Sequence, residues 1–117
     1  MKGTILMVED ELTISRIYKD FLEKDLEYLV IDYGNGREAL EAINDGLQFG
    51  LALVDLSLPD LDGVELIKRI KEKYPSKPIV SMSAFDSLIL PSIYNFSKLR
   101  PYPQLKEVVE DFYPLPN

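Results

Sequence analysis

Leu51-Ala52-Leu53-Val54-Asp55-Leu56-Ser57-Leu58-Pro59-Asp60-Leu61-Asp62-Gly63 is the stretch whose reading decides the fold. Four apolar residues run straight into an acid, and turn-forming residues follow. A short apolar run bounded by turn signals reads as a strand buried on both faces. Asp55 then stands at the carboxyl end of a central parallel strand, where open α/β sheets place their ligands. The competing reading of that acid, the weaker of the two, is a helix cap or a loop residue. Thr4-Ile5-Leu6-Met7-Val8 is a second run of the same kind, and it ends in Glu9-Asp10-Glu11. An acidic triplet by itself is an ordinary solvated turn. Two buried strands that both finish in acids bring those acids to one sheet edge. Carboxylates gathered there repel one another unless a hard cation such as Mg²⁺ sits among them.

Composition narrows the chemistry. The 117 residues are of a length for one domain with a single packed core. The chain contains neither cysteine nor histidine. A disulfide framework, a thiol nucleophile, a His-ligated zinc and a Ser-His-Asp triad are therefore excluded. Any histidine the chemistry requires comes from a partner. The net charge of −7 argues against binding a nucleic-acid backbone, which calls for clustered Lys and Arg. No run is long enough to span a membrane, and Met1-Lys2-Gly3 does not open a signal peptide, so the expected location is the cytoplasm.

In chain order, Thr4–Val8 is the first strand. A helix over Leu12–Asp25 follows, with Ile14, Ile17, Tyr18, Phe21 and Leu22 on its inner face. Tyr28–Tyr33 is a second strand, Gly34-Asn35-Gly36 a turn, and Arg37–Asp45 a helix burying Ala39, Leu40 and Ile43. The third strand is Leu51–Asp55. The third helix, Val64–Tyr74, buries Leu66, Ile67, Ile70 and Tyr74 and is stopped by Pro75. Pro78–Ser83 is the fourth strand, with proline at its tolerated first position. Ala84–Ile93 has room for about two helical turns before Pro91 interrupts. Ser92–Ser97 is a fifth strand. A last helix runs from Pro103 or Gln104 to Phe112, with Leu105, Val108, Val109 and Phe112 on one face.

This alternation predicts a doubly wound α/β fold: a five-stranded parallel sheet, flavodoxin-like, in the order 2-1-3-4-5, with the fourth helix shortened or absent. In that order the first and third strands are neighbours at the topological switch point. Glu9, Asp10 and Asp55 converge there.

These residues resemble a receiver domain of the two-component response regulators. Leu6-Met7-Val8-Glu9-Asp10-Glu11 resembles the family's acidic-pair motif. Leu53 to Gly63 resembles the phosphoacceptor motif, including a Pro four and a Gly eight residues after the Asp. Val80-Ser81-Met82-Ser83-Ala84 resembles the switch strand, and Gly36-Arg37-Glu38-Ala39-Leu40 the start of the second helix.

The resemblance implies a single receiver over residues 1–117. Asp55 would take a phosphoryl group from the phosphohistidine of a histidine kinase or phosphotransfer protein. Glu9, Asp10, Asp55 and the carbonyl of Ser57 would hold Mg²⁺. Ser83 would donate its hydroxyl to the phosphoryl group, with the small Ala84 beside it. The implied role is a stand-alone, phosphorylation-controlled interaction module, not an enzyme, with an unidentified downstream protein partner.

Past Ala84 the likeness thins. The family's strand-ending Lys-Pro pair comes later in the chain than either candidate, Lys98 or Arg100. Arg100-Pro101-Tyr102 resembles the Lys-Pro-aromatic triplet, but Lys98 keeps the family's spacing to Leu105 and is favoured. Its peptide to Leu99 is expected to be trans, since leucine does not readily supply a cis bond. Asn95 stands where an aromatic is expected, with Tyr94 and Phe96 on either side. The chemistry therefore reads as intact and the readout as altered. Two other functions fit parts of the pattern. A receiver-like adaptor working without phosphorylation would not need the acidic pocket that is present. An aspartyl-nucleophile phosphatase would need a second acid where Asp55-Leu56-Ser57 has serine.

Overall fold

Five apolar runs supply five parallel strands. In a computed structural model, which describes residues 3–84, 90 and 92–114, they are β1 (Thr4–Val8), β2 (Leu29–Tyr33), β3 (Leu51–Asp55), β4 (Ile79–Ser83) and β5 (Tyr94–Ser97). They form one sheet in the order β2-β1-β3-β4-β5. Helices α1 (Leu12–Asp20), α2 (Gly36–Asn44), α3 (Gly63–Lys73) and α4 (Leu105–Phe112) cover it.

The continuous apolar runs are explained by burial on both sides. Ile5, Met7, Leu51, Leu53, Val80, Met82 and Phe96 face α1 and α4, meeting Tyr18, Leu22, Leu105 and Val109. The alternate residues Leu6, Val8, Ala52, Val54 and Ile79 face α2 and α3, meeting Ala39, Ile43, Leu66 and Ile70. All five residues of β3 are buried. A strand covered on both faces has no polar side to alternate with.

The boundaries differ from expectation where hydrogen bonding decides them. Asn35 is not in a turn but caps α2, its side chain accepting from the Glu38 amide at 2.9 Å, and Gly36 is already helical. The first helix changes pitch: Phe21–Asp25 forms a π-helical turn in which the Leu26 amide donates to the Phe21 carbonyl at 3.3 Å. Within this turn Glu23 accepts from the Val30 amide at 3.1 Å, covering a donor on the open edge of β2.

Two residues expected inside are partly exposed. Ile17 is 42 % exposed at the flank of the α1 stripe, where Ser15 is buried instead and donates to Asp32 Oδ2 at 3.3 Å. Phe112 is 37 % exposed because β5 is the sheet's edge, and its ring packs on Tyr94 with centroids 5.7 Å apart. The last helix is preceded by a 3₁₀ turn, Tyr102–Gln104, so its α-helical part begins at Leu105.

The helix expected within residues 84–93 falls largely on residues outside those described. Among the described residues no helix lies between β4 and β5, and Leu90 and Ile93 pack against the α2–α3 core. Among the described residues no helix is long and apolar enough to cross a membrane.

At the amino-terminal end of the sheet, Tyr113 lies between Gly3 and Gly50, where any side chain in place of either hydrogen would collide with its ring. Its hydroxyl accepts from the Thr4 amide at 3.3 Å, and its carbonyl accepts from the Tyr28 hydroxyl at 2.7 Å. Strand starts are thereby tied to the residue just after α4.

Candidate functional site

The site is built at the opposite end of the strands. In register, Val8 of β1 lies beside Val54 of β3, so the next residues, Glu9 and Asp55, leave the sheet side by side. The Glu9 amide still donates to Tyr33 of β2 at 3.1 Å, which holds Glu9 in line with the strand. Glu9 and Asp55 are 2 % and 1 % exposed, whereas Asp10 is exposed at the rim.

Glu9, Asp10 and Asp55 each offer a carboxylate oxygen, all within 4.8 Å of one another. Three hard, anionic oxygens so grouped suit a divalent cation such as Mg²⁺ and repel one another without one. Ser57 lies two residues past Asp55, and its amide donates to Asp55 Oδ1 at 2.9 Å, fixing the carboxylate's rotation.

The cation facing these acids is Lys98, just after β5. Its Nζ lies 2.8 Å from Glu9 Oε1 and 3.0 Å from Asp55 Oδ2, and its side chain is only 9 % exposed. The backbone places it: its amide donates to the Ser83 carbonyl at 2.8 Å, continuing the β4–β5 ladder by one residue. Arg100, the other candidate, turns away. It bonds Gln104 at 2.7 Å and the Tyr94 hydroxyl at 3.1 Å, and it stacks over Phe96. The Lys98–Leu99 peptide is trans, and no cis bond occurs among the described residues.

Burial sets the electrostatics. Desolvation, with the hydrogen bond to Asp55, pushes the Glu9 carboxyl up to about 7, although Lys98 and the Glu11 amide pull it down. Burial lowers the Lys98 ammonium, but hydrogen bonds and attraction to Glu9 and Asp55 outweigh it and raise the net value. Near neutral pH the pocket therefore shifts its proton count easily, through Glu9.

Loop residues hold this geometry. Gly63 opens α3 directly against the strand end: a Cβ there would lie 2.6 Å from the Leu56 Cα and would also strike the Asp55 carbonyl oxygen. The glycine is needed for this close approach rather than for a turn. Asp60 accepts from the amides of Gly36 and Arg37 at 2.9 and 3.0 Å, joining the loop to the start of α2. Desolvation raises its carboxyl, but these bonds, with its own amide and the Arg37 charge, together outweigh it and hold the group below the usual carboxylate range.

Ser83 ends β4, beside the pair Asp55–Met82. Its hydroxyl donates to Asn95 Oδ1 at 3.2 Å, and Ser81 donates to the same oxygen at 2.9 Å. The sequence marks Asn95 as a departure, but only strand register reveals the contact, because Ser81 pairs with Asn95 and Ser83 with Ser97. The Asp60 clamp also escapes sequence reading, since an aspartate in a turn has many local partners.

The fold is a doubly wound parallel sheet with three acids and a lysine grouped at its switch point. A family model described as "Response regulator receiver domain" matches residues 5–91. The chain belongs to the response regulator receiver family, whose domains are phosphoacceptors in two-component signalling. It is 39 % identical over 88 residues to the uncharacterized transcriptional regulatory protein YkoG of Bacillus subtilis, covering 74 % of this chain and 37 % of that protein. It is 35 % identical over 80 residues to the sensor protein TorS of Escherichia coli, covering 68 % of this chain and 9 % of that one. The chain thus spans well under half of these relatives. Among solved structures it resembles the response regulator TrrA of Thermotoga maritima in complex with Mg²⁺-BeF, at TM-score 0.85 and 26 % identity, covering 96 % of this chain and 99 % of that one. A CheY-like receiver from Methanospirillum hungatei JF-1 is similar at TM-score 0.85 and 26 % identity, covering 95 % and 93 %.

Proposed function

We propose that this chain is a receiver that accepts a phosphoryl group on Asp55 and presents the result to a protein partner in the cytoplasm. The observation that carries the reading is the pairing of Asp55, almost fully buried at a strand end, with Glu9, Asp10 and Lys98 around its carboxylate. The donor is a histidine kinase or phosphotransfer protein, since these 117 residues contain no histidine of their own.

In the transfer, an Asp55 carboxylate oxygen attacks phosphorus. The new O–P bond forms as the N–P bond of phosphohistidine breaks, and the imidazole leaves with the electron pair and takes up a proton. The Ser57 amide orients the carboxylate from one side. Lys98, held at Glu9 and Asp55, supplies positive charge where the phosphoryl oxygens arrive, and Ser83 supplies a hydroxyl donor. Glu9, Asp10 and Asp55, with the Ser57 carbonyl, are the residues assigned to hold Mg²⁺. Bound there, Mg²⁺ would supply positive charge to offset that of the transferring group. The beryllofluoride complex of the similar T. maritima protein supports the use of that phosphoryl mimic here.

Incubation with Mg²⁺ and acetyl phosphate, followed by intact mass, tests the reading. The expected result is one phosphoryl addition to the wild type, none with a chelator, and none in Asp55→Asn. Uptake by Asp55→Asn at the wild-type rate overturns the assignment.

A further inference from the structure

We infer that Asn95 is a positioning residue that competes with the phosphoryl group for the Ser83 hydroxyl proton, so that it restrains phosphorylation of Asp55. The inference rests on the reading of Asp55 as phosphoacceptor.

The geometry is specific. Strand pairing sets Asn95 opposite Ser81, on the sheet face that β4 presents through Ser81 and Ser83 rather than through Val80 and Met82. Asn95 Oδ1 accepts from Ser81 at 2.9 Å and from Ser83 at 3.2 Å. An amide oxygen has two lone pairs, so both donors are accommodated at once. A hydroxyl has one proton. While Ser83 donates it to Asn95, it cannot donate it to a phosphoryl oxygen on Asp55, and the two bonds exclude each other.

Release leaves no orphan. When Ser83 turns away, Asn95 keeps its shorter bond from Ser81, which is fully buried and oriented by the same pairing. The Ser83–Asn95 bond is neutral and is the longer of the two that Asn95 accepts. Such a bond is worth a factor of about two to ten in an equilibrium, enough to bias the site without locking it.

Removing the acceptor therefore accelerates phosphoryl uptake. With acetyl phosphate as donor, the O–P bond to Asp55 forms as the P–O bond to acetate breaks, and acetate leaves with the electron pair. Asn95→Ala is expected to take up phosphoryl about two- to tenfold faster, and to bind beryllofluoride with Mg²⁺ tighter by a similar factor. Asn95→Asp keeps an acceptor oxygen and is expected to stay at or below the wild-type rate.

The decisive comparison is in a Ser83→Ala background, where Asn95→Ala is expected to change nothing, because the contested proton is gone. A general loosening of β5 would accelerate both backgrounds alike. Asn95→Leu, close in volume but with no acceptor, repeats the comparison should the alanine variant fail to fold. Unchanged or slower uptake in the acceptor-free variants, or equal acceleration with and without Ser83, overturns the inference and leaves Asp55 in place. A wild type that gains neither phosphoryl nor beryllofluoride overturns the function itself and the inference with it.

Discussion

Lys98 and Glu9 carry the two consequences that belong to single residues. Lys98 is the cationic side chain bonded to both buried carboxylates, and breaking a buried pair costs about 3–5 kcal/mol because charge is left unmatched. Lys98→Met is expected to lower urea stability by about 3 kcal/mol at pH 8 in chelator, and by less near pH 5.5, where Glu9 holds a proton and less charge is stranded. Added Mg²⁺ is expected to restore much of the loss by taking the place of the ammonium among the acids. A variant as stable as the wild type in chelator at pH 8 shows that Lys98 does not neutralise the pocket. Glu9 gives the pH dependence. Its folded-state value of about 7 lies above the ordinary 4.5, so between those limits the folded protein holds a proton that the unfolded chain has lost. In chelator, this group's contribution to stability is fully present below about 4.5 and lost as the pH rises through about 7. Mg²⁺ needs the carboxylate form, so the rise in Tm on adding Mg²⁺ is expected to be larger at pH 8 than at pH 6. Equal increments at both values sink that expectation.

At the scale of elements, the loop from Leu56 to Asp62 does more than connect β3 to α3. Asp60 ties it to α2, and Gly63 lets α3 begin in contact with the strand that carries Asp55. Gly63→Ala must push the helix start away from rigid backbone, an overpacking that costs about 1–3 kcal/mol. The same displacement moves Asp55 relative to Glu9, so slower phosphoryl uptake is expected beyond the loss of stability. Normal uptake in a folded Gly63→Ala protein shows that the contact supports packing alone. The legibility of these elements follows their physics. The limits of β1 and β3 are readable because strands buried on both faces give unbroken apolar runs ending at the acids. The π-helical turn at Phe21–Asp25 is not readable, since its residues keep helical spacing and only the Leu26–Phe21 hydrogen bond distinguishes it. Lys98 is legible from its distance to Leu105, whereas its bonds to two acids from other strands are long-range facts. The partner of Asn95 is hidden for the same reason: it depends on a register that no local signal fixes.

Across the whole molecule, the question is how far a change at Asp55 travels. A parallel crossover usually takes a dozen or more residues, and only residues 84–93 join β4 to β5. That length leaves little helix to repack, so the response is expected to stay close to the strands. Amide hydrogen exchange with Mg²⁺ and beryllofluoride is expected to show new protection at Asp55–Ser57, at Ser83–Ala84 and over Tyr94–Lys98, with little change across residues 85–93. A large change across 85–93 shows instead that the connection itself carries the signal.

Tyr113 gives the molecule a mechanical asymmetry. Its ring sits between Gly3 and Gly50 and its hydroxyl meets the Thr4 amide, all at the strand ends remote from the carboxylates. Tension applied between residue 3 and residue 114 meets that clasp together with the first rungs of the sheet, where Gly3 and Thr4 accept from Leu29 and Gly50. The carboxylates lie at the other end of the strands, a full strand length from where such force enters.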